Sequence, residues 1–184
     1  MLPVELRTAR LVLDQPSTDD VDAITRYCQV FSGAGTMTLP HPYRRVDAEY
    51  FVEEYVPQGW ADDAEFTWAI REQVGGPLLG VLGYRSGLGD VGYWLGTEHH
   101  GRGIMTEALL GMLDWLAASG TTRVEWECVV GNRASAAVAR RSGFVYTGTA
   151  PARVPFPDGQ PLAWHGVRDV VDPLPAADWP EESR

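Results

Sequence analysis

The spacing of apolar positions changes several times along the chain, and each change marks an element. Leu11-Val12-Leu13 is a short apolar run that predicts a first strand. Ser17-Thr18-Asp19-Asp20 then has the spacing of a capping box, with Ser17 as N-cap and Asp20 three residues on, and Val21, Ile24 and Cys28 recur at helical intervals. A second helix is predicted near Asp47, where Ala48, Phe51, Val52 and Tyr55 fall at i, i+3, i+4 and i+7 and make one apolar stripe. Between them FSGAGTMTLPHPYRR, rich in Gly and Pro, reads as a loop.

In the middle of the chain the period drops towards two. Phe66–Arg71, Leu79–Tyr84 and Asp90–Leu95 are short, β-rich and separated by Gly-Gly-Pro and Ser-Gly-Leu-Gly turns, which predicts an antiparallel meander. After residues 99–110, HHGRGIMTEALL, the helical period returns: Ala108, Leu109, Met112, Leu113 and Leu116 form one face, and Gly120 ends the helix. Val124, Trp126, Cys128 and Val130 alternate with Glu125, Glu127 and Val129, a strand pattern. Asn132–Arg141 is a short helix stopped by Gly143, Phe144–Thr147 a strand, and Trp164–Val170, beyond a Pro-rich loop, the last strand. VDPLPAADWPEESR has no periodicity and is expected to be a mobile tail. These elements make one domain over residues 1–170 with a tail over 171–184. The strand–helix–strand unit in the second half implies one parallel crossover in a mixed sheet.

Composition narrows the class. The 184 residues are 45% hydrophobic and 22% charged, which suits one soluble globular domain. No run of about 18 apolar residues is present, so no membrane span is expected. MLPVELRTAR has no apolar signal core, and a cytoplasmic protein is expected. Cys28 and Cys128 are far apart without metal-type spacing and read as reduced core thiols. The net charge of −10 disfavours a nucleic-acid-binding face and suits solubility or cationic substrates. The histidines form no metal set, because His99 and His100 are adjacent and diverge.

The bare turn Gly101-Arg102-Gly103 stands directly before a helix. N–H groups at a helix start have no intrahelical partner, and with the helix dipole they attract phosphate. Glycine lets the backbone approach the ligand. A P-loop needs Gly-Lys, which the chain lacks. A dinucleotide fingerprint needs a third glycine where Thr106 stands. The pyrophosphate loop of acyl-coenzyme A binders is the third possibility.

At these residues a resemblance is specific. VGYWLGTEHHGRGIMTEAL resembles motif A of the GNAT-type N-acetyltransferases, close to the RimJ/RimL-like subgroup that acetylates protein N-termini. LRTARLVL, EFTWAI, LLGVLGY and NRASAAVARRSGFVYTG extend it over roughly residues 5–170. The family's signature, Gln/Arg-x-x-Gly-x-Gly/Ala, is His100-Gly101-Arg102-Gly103-Ile104-Met105 here; Gly103 matches, and His100 and Met105 depart. The resemblance implies a GNAT fold of α/β (α+β) class: a mixed, mostly antiparallel central sheet flanked by helices, with one parallel β-α-β acyl-CoA-binding unit. It implies acetyl-CoA as co-substrate, no metal, and cradling of the pyrophosphate by amides from about Gly101 to Thr106. It also implies a bulge in the preceding strand, with an amide near Trp94 or Leu95 holding the thioester carbonyl.

Asn132 and Ser135 match the family's second cofactor block. The tyrosine many members use as general acid would fall at Ala139 and is absent; in RimL-type enzymes a serine three residues after the asparagine is the proposed acid, and Ser135 fills that slot. Serine at a helix N-terminus also has a plain capping role. Asp90 and Glu127 are candidate general bases, and each also reads as a solvated strand residue. Glu107 reads as helix N-terminal charge. His41 and Trp60 are candidates for the acceptor side. The expected partners are acetyl-CoA and a primary-amine acceptor, a protein N-terminus or else a small amine such as an aminoglycoside or amino acid. Nucleic acid and membrane are not expected as partners. The chain is expected to be a monomer or homodimer, and a CoA-binding module without turnover is the reading from another class.

Overall fold

The computed structural model describes residues 1–32, 35, 37–156, 159–172 and 178–183. Along the chain come β1 (Leu6–Arg7), β2 (Val12–Asp14), α1 (Val21–Ser32), α2 (Arg45–Tyr50), α3 (Val56–Ala61), β3 (Glu65–Arg71), β4 (Gly80–Arg85) and β5 (Asp90–Leu95). Then follow α4 (Ile104–Ala118), β6 (Arg123–Val129), α5 (Arg133–Arg141), β7 (Val145–Pro151) and β8 (Leu162–Asp169). The strands form one sheet in the order β1-β2-β3-β4-β5-β6-β8-β7. β5 and β6, joined through α4, are its parallel neighbours; the other pairs are antiparallel. The expected mixed sheet with one parallel unit is therefore present.

Both faces of the sheet are covered, which is why its central strands read as apolar runs. On one face Trp68, Ile70, Leu82 and Trp126 pack with Leu109, Met112 and Leu113 of α4. On the other, Ala69, Val81 and Trp94 pack with Ile24, Tyr27 and Cys28 of α1 and with Ala48 and Val52. Arg71 ties the two layers: it donates to Asp14 from Nε at 2.8 Å and to Asp20 from both terminal nitrogens at 2.8 and 2.6 Å. The Asp20 carboxylate also accepts from the Ser17 N–H at 2.8 Å, the bond expected of a capping box.

Three expectations need revision. The second helix is not regular: α2 and α3 join through a wider turn at Phe51–Tyr55, where the Val56 N–H donates to the Phe51 carbonyl. The extra residue rotates the apolar stripe, so Ala48, Val52 and Val56 are buried while Tyr55 swings outward, 41% exposed. β7 and β8 start and end away from their predicted bounds, and β1 is too short to show a period. The tail is docked at its end. Trp179 is buried against Trp126 and Tyr146, with ring centroids 5.6 and 5.9 Å away, and Arg133 Nε donates to the Glu182 carbonyl at 2.8 Å. One tryptophan supplies enough apolar area to pin a segment that has no periodicity.

Candidate active site

β5 and β6 pair only at Asp90–Glu125 and Val91–Trp126. From Gly92 onward they diverge, and a cleft of ≈ 1510 Å³ opens between them and runs to the start of α4. Its walls come from the loop His99–Thr106, the end of β5, β6, the first turn of α5 and the α2–α3 region.

The loop is built to leave its amides outward. Gly101 and Gly103 have φ of 75° and 74°, left-handed values that favour glycine. Gly103 is the N-cap of α4, whose first intrahelical bond is donated by the Glu107 N–H to the Gly103 carbonyl. The amides of Ile104, Met105 and Thr106 therefore have no helical acceptor. The side chains of Ile104 and Met105 turn into the core instead. Met105 is thus accommodated beneath the loop, and its size does not crowd the amides. His100, the other departure, acts as a staple: its Nε2 lies 2.9 Å from the Leu95 carbonyl. Arg102 pairs with Glu72, and its carbonyl accepts from Arg10 at 3.3 Å. Glu107 accepts from Thr8 Oγ1 (2.6 Å), the Arg10 N–H (2.8 Å) and Arg10 Nε (2.6 Å), so it fastens the N-terminal segment beside the loop. Burial opposes its ionisation, but these bonds outweigh it and hold the carboxyl below the usual range.

The gap beyond the loop exposes backbone. The β4–β5 register runs unbroken from Gly80–Leu95 to Arg85–Asp90, so the expected bulge is absent. The divergence from β6 does its work. Gly96 N–H donates to Leu79 on the β4 side at 2.8 Å, and the alternation of an antiparallel ladder then turns Tyr93 and Leu95 towards the gap and Trp94 towards β4. Of the two candidate amides, Leu95 faces the cleft, while that of Trp94 belongs to the ladder. The Trp94 side chain lines the cleft and packs on Tyr27 and Phe31.

A hydroxyl cluster closes the inner end. Asn132 caps α5, its Oδ1 accepting from the Ser135 N–H at 3.2 Å. Ser135 Oγ accepts from Trp126 Nε1 at 3.2 Å and donates to Tyr93 Oη at 3.2 Å, and Tyr93 Oη donates to the Ser135 carbonyl at 3.0 Å. Burial pushes the Tyr93 phenol above its ordinary value, so it holds its proton. Ala139, the absent tyrosine's position, is fully buried. Tyr93 brings a phenol to Ser135 from β5, across from α5, and the sequence pattern hides it, since spacing with Val91 and Leu95 reads as core. Cys128 lies alongside, its thiol pushed up to about 12 by burial and hence protonated.

The remaining candidates separate. Glu127 lines the cleft and accepts from the Arg153 N–H at 3.0 and 3.1 Å, with His165 Nδ1 at 3.4 Å. Asp90 does not line it: its side chain is fully buried and held by Arg85 through bonds of 2.8 and 2.6 Å. Trp60 is not on the acceptor side either. It is 1% exposed, packed edge-on against Trp68, and its Nε1 donates to the Thr67 carbonyl at 3.2 Å. Its apolar bulk places it in the core. His41 is exposed and stands beside Pro40 and Tyr43, which line the cleft. No group of three or more His, Cys, Asp or Glu that could hold a metal occurs among the described residues.

A sequence profile described as the acetyltransferase (GNAT) domain matches residues 10–145. Over 77 residues the chain is 35% identical to the ribosomal-protein-serine acetyltransferase of Escherichia coli strain K12, which covers 39% of this chain and 43% of that protein, less than half its length. A putative ribosomal-protein-serine acetyltransferase from Vibrio cholerae superposes with a TM-score of 0.76 at 22% identity, covering 92% of this chain and 99% of that one. RimL, the ribosomal L7/L12 alpha-N-protein acetyltransferase, solved in complex with coenzyme A, superposes with a TM-score of 0.77 at 20% identity, covering 90% and 98%. At these identities the structural likeness concerns the fold.

Proposed function

This chain belongs to the acetyltransferase (GNAT) family, and on that premise we propose that it transfers the acetyl group of acetyl-CoA to the α-amine of a protein N-terminus. One observation carries the reading: the outward amides at the start of α4 lead directly into the β5–β6 gap, which ends at the Ser135–Tyr93 hydroxyls. That sequence of groups suits a long ligand with phosphate at one end and a reactive thioester at the other. The activity named for the Escherichia coli relative supports a protein amine over a small one.

Acetyl-CoA supplies an activated carbonyl with a thiolate leaving group. The amides of Ile104, Met105 and Thr106 hold its pyrophosphate, with Gly101 and Gly103 keeping the approach clear. Tyr93 pairs through its backbone with the pantetheine arm, and the Leu95 N–H serves the carbonyl oxygen. Glu127 is the base that receives the amine proton. Ser135 donates to the departing sulfur. An ordinary thiol titrates near 8.5 and a phenol near 10, and Tyr93 is higher still. Full loss of the Tyr93 proton to the thiolate is therefore uphill; Tyr93 and Trp126 hold Ser135 in place, and the Ser135 hydroxyl turns its hydrogen bond from Tyr93 Oη to the departing sulfur. We place the reaction in the cytoplasm. Both cysteines are free and buried, and no helix among the described residues is long and apolar enough to cross a membrane.

Thiol release from acetyl-CoA, measured across N-terminal peptides, polyamines and aminoglycosides, tests the reading. Release stimulated by peptides with free α-amines is expected. Stimulation by aminoglycosides alone, or by no acceptor, contradicts it.

A further inference from the structure

One part of the cleft is not needed to hold acetyl-CoA. On the sheet face that carries α1 and α2, the register aligns Thr67 with Gly83 and Gly83 with Gly92, a row crossing β3, β4 and β5. The row on one side is Ala69, Val81 and Trp94, which the helices cover. The row on the other is Glu65, Arg85 and Asp90. Between them no side chain is larger than threonine, and all three residues line the cleft. Gly92 lies at the point where β5 leaves β6, beside the reacting end of the gap.

Two oxygens meet this empty row. Thr67 is 2% exposed, and its Oγ1 has no hydrogen-bond partner among the described residues. A buried polar atom left without a partner is rare and calls for a ligand or a water. Glu65 Oε2 accepts from Tyr55 Oη at 2.5 Å, while Oε1 is turned towards Gly83. A Cβ on Gly83 would stand 3.2 Å from Glu65 Oε1 and 3.4 Å from Thr67 Oγ1, so any side chain there would cover both oxygens. A Cβ on Gly92 would meet nothing within 4 Å. Tyr55 reaches Glu65 because the wide turn at Phe51–Tyr55 swings it off the apolar stripe. Burial keeps its phenol protonated, so it stays a donor to Glu65.

We infer that the Thr67–Gly83–Gly92 row is the acceptor subsite, seating a primary amine whose adjoining carbon bears only a small substituent, with Glu65 Oε1 attracting the amine and Thr67 Oγ1 bonding a small polar substituent. The inference rests on the acetyl-transfer reading and adds the acceptor's size and polarity. The missing side chains set the size limit, and the unpartnered hydroxyl sets the polarity.

The test compares peptides starting with Ser, Ala and Leu on the wild type and on Gly92→Ala, Gly92→Val and Thr67→Val. Stabilisation by acetyl-CoA serves as the check that each variant is folded. The wild type is expected to prefer Ser and Ala over Leu. Gly92→Val should raise the acceptor KM at least tenfold, Gly92→Ala by less, with acetyl-CoA stabilisation unchanged. Thr67→Val should abolish the preference for Ser over Ala, because only the Ser peptide carries a hydroxyl for Thr67 Oγ1 to bond. An active wild type whose acceptor KM and selectivity do not change in any variant overturns the subsite and leaves acetyl transfer standing. A wild type that acetylates no peptide overturns both.

Discussion

Ser135 has three neighbours with distinct jobs. Trp126 donates to its oxygen, Tyr93 Oη accepts its hydrogen bond, and Asn132 fixes the turn beneath it. If Ser135 serves the leaving sulfur, Ser135→Ala lowers kcat by roughly 10²-fold, the low end for acid–base assistance because a thiolate leaves readily, while acetyl-CoA affinity stays the same. Tyr93→Phe removes two hydrogen bonds, one to the Ser135 hydroxyl and one to its carbonyl, and should cost about tenfold in kcat. Steady-state kinetics with separate KM values for each substrate checks both. Glu107 makes a prediction about pH. Its carboxyl titrates below the usual range in the folded chain, so its contribution is full above the unfolded value and fades as pH falls through the folded one. Glu107→Gln should therefore cost roughly 1–2 kcal/mol at neutral pH, and the gap from wild type should close as the solution is acidified below the carboxylate range. Urea unfolding at a series of pH values measures it. Residues of this kind were legible unevenly. Ser135 and the loop glycines stand in a recognisable motif. Tyr93, Glu65 and Thr67 lie in matching blocks too, but those blocks give them no role, because their roles depend on which strands become neighbours.

At the scale of elements, α4 and the docked tail are the sensitive parts. Gly103 sits at φ 74°, where an added Cβ is strained. Gly103→Ala should destabilise by about 1–2 kcal/mol and weaken acetyl-CoA binding, read as a smaller ligand-induced rise in Tm. Trp179 backs Trp126, which in turn holds Ser135. Trp179→Ala should cost about 3 kcal/mol and lower kcat more than it raises the KM for acetyl-CoA. The strand and helix order was readable from periodicity, since β3 to β6 and α4 carry long, regular patterns. The wide turn after α2 was not, because a single added residue leaves the apolar spacing almost unchanged while rotating Tyr55 out. The docking of Trp179 was invisible for the opposite reason: it is one long-range contact in a segment with no period.

Across the whole molecule, the sheet divides the work. The face that carries α4 and α5 brings up Tyr93, Trp126 and Ser135, the face that carries α1 and α2 brings up Glu65, Thr67 and Glu127, and the β5–β6 divergence joins them. In the proposed reaction acetyl-CoA fills the β5–β6 gap and the amine comes from the face that carries α1 and α2. Because it binds only the folded chain, acetyl-CoA at about 100 times its Kd should stabilise the fold by roughly 2.7 kcal/mol. Tandem mass spectrometry of a peptide carrying both a free N-terminus and an internal lysine, incubated with enzyme and acetyl-CoA, reads the transfer itself. One acetyl group on the α-nitrogen and none on the lysine is expected. Acetyl on the lysine alone, or an unmodified peptide, would contradict it.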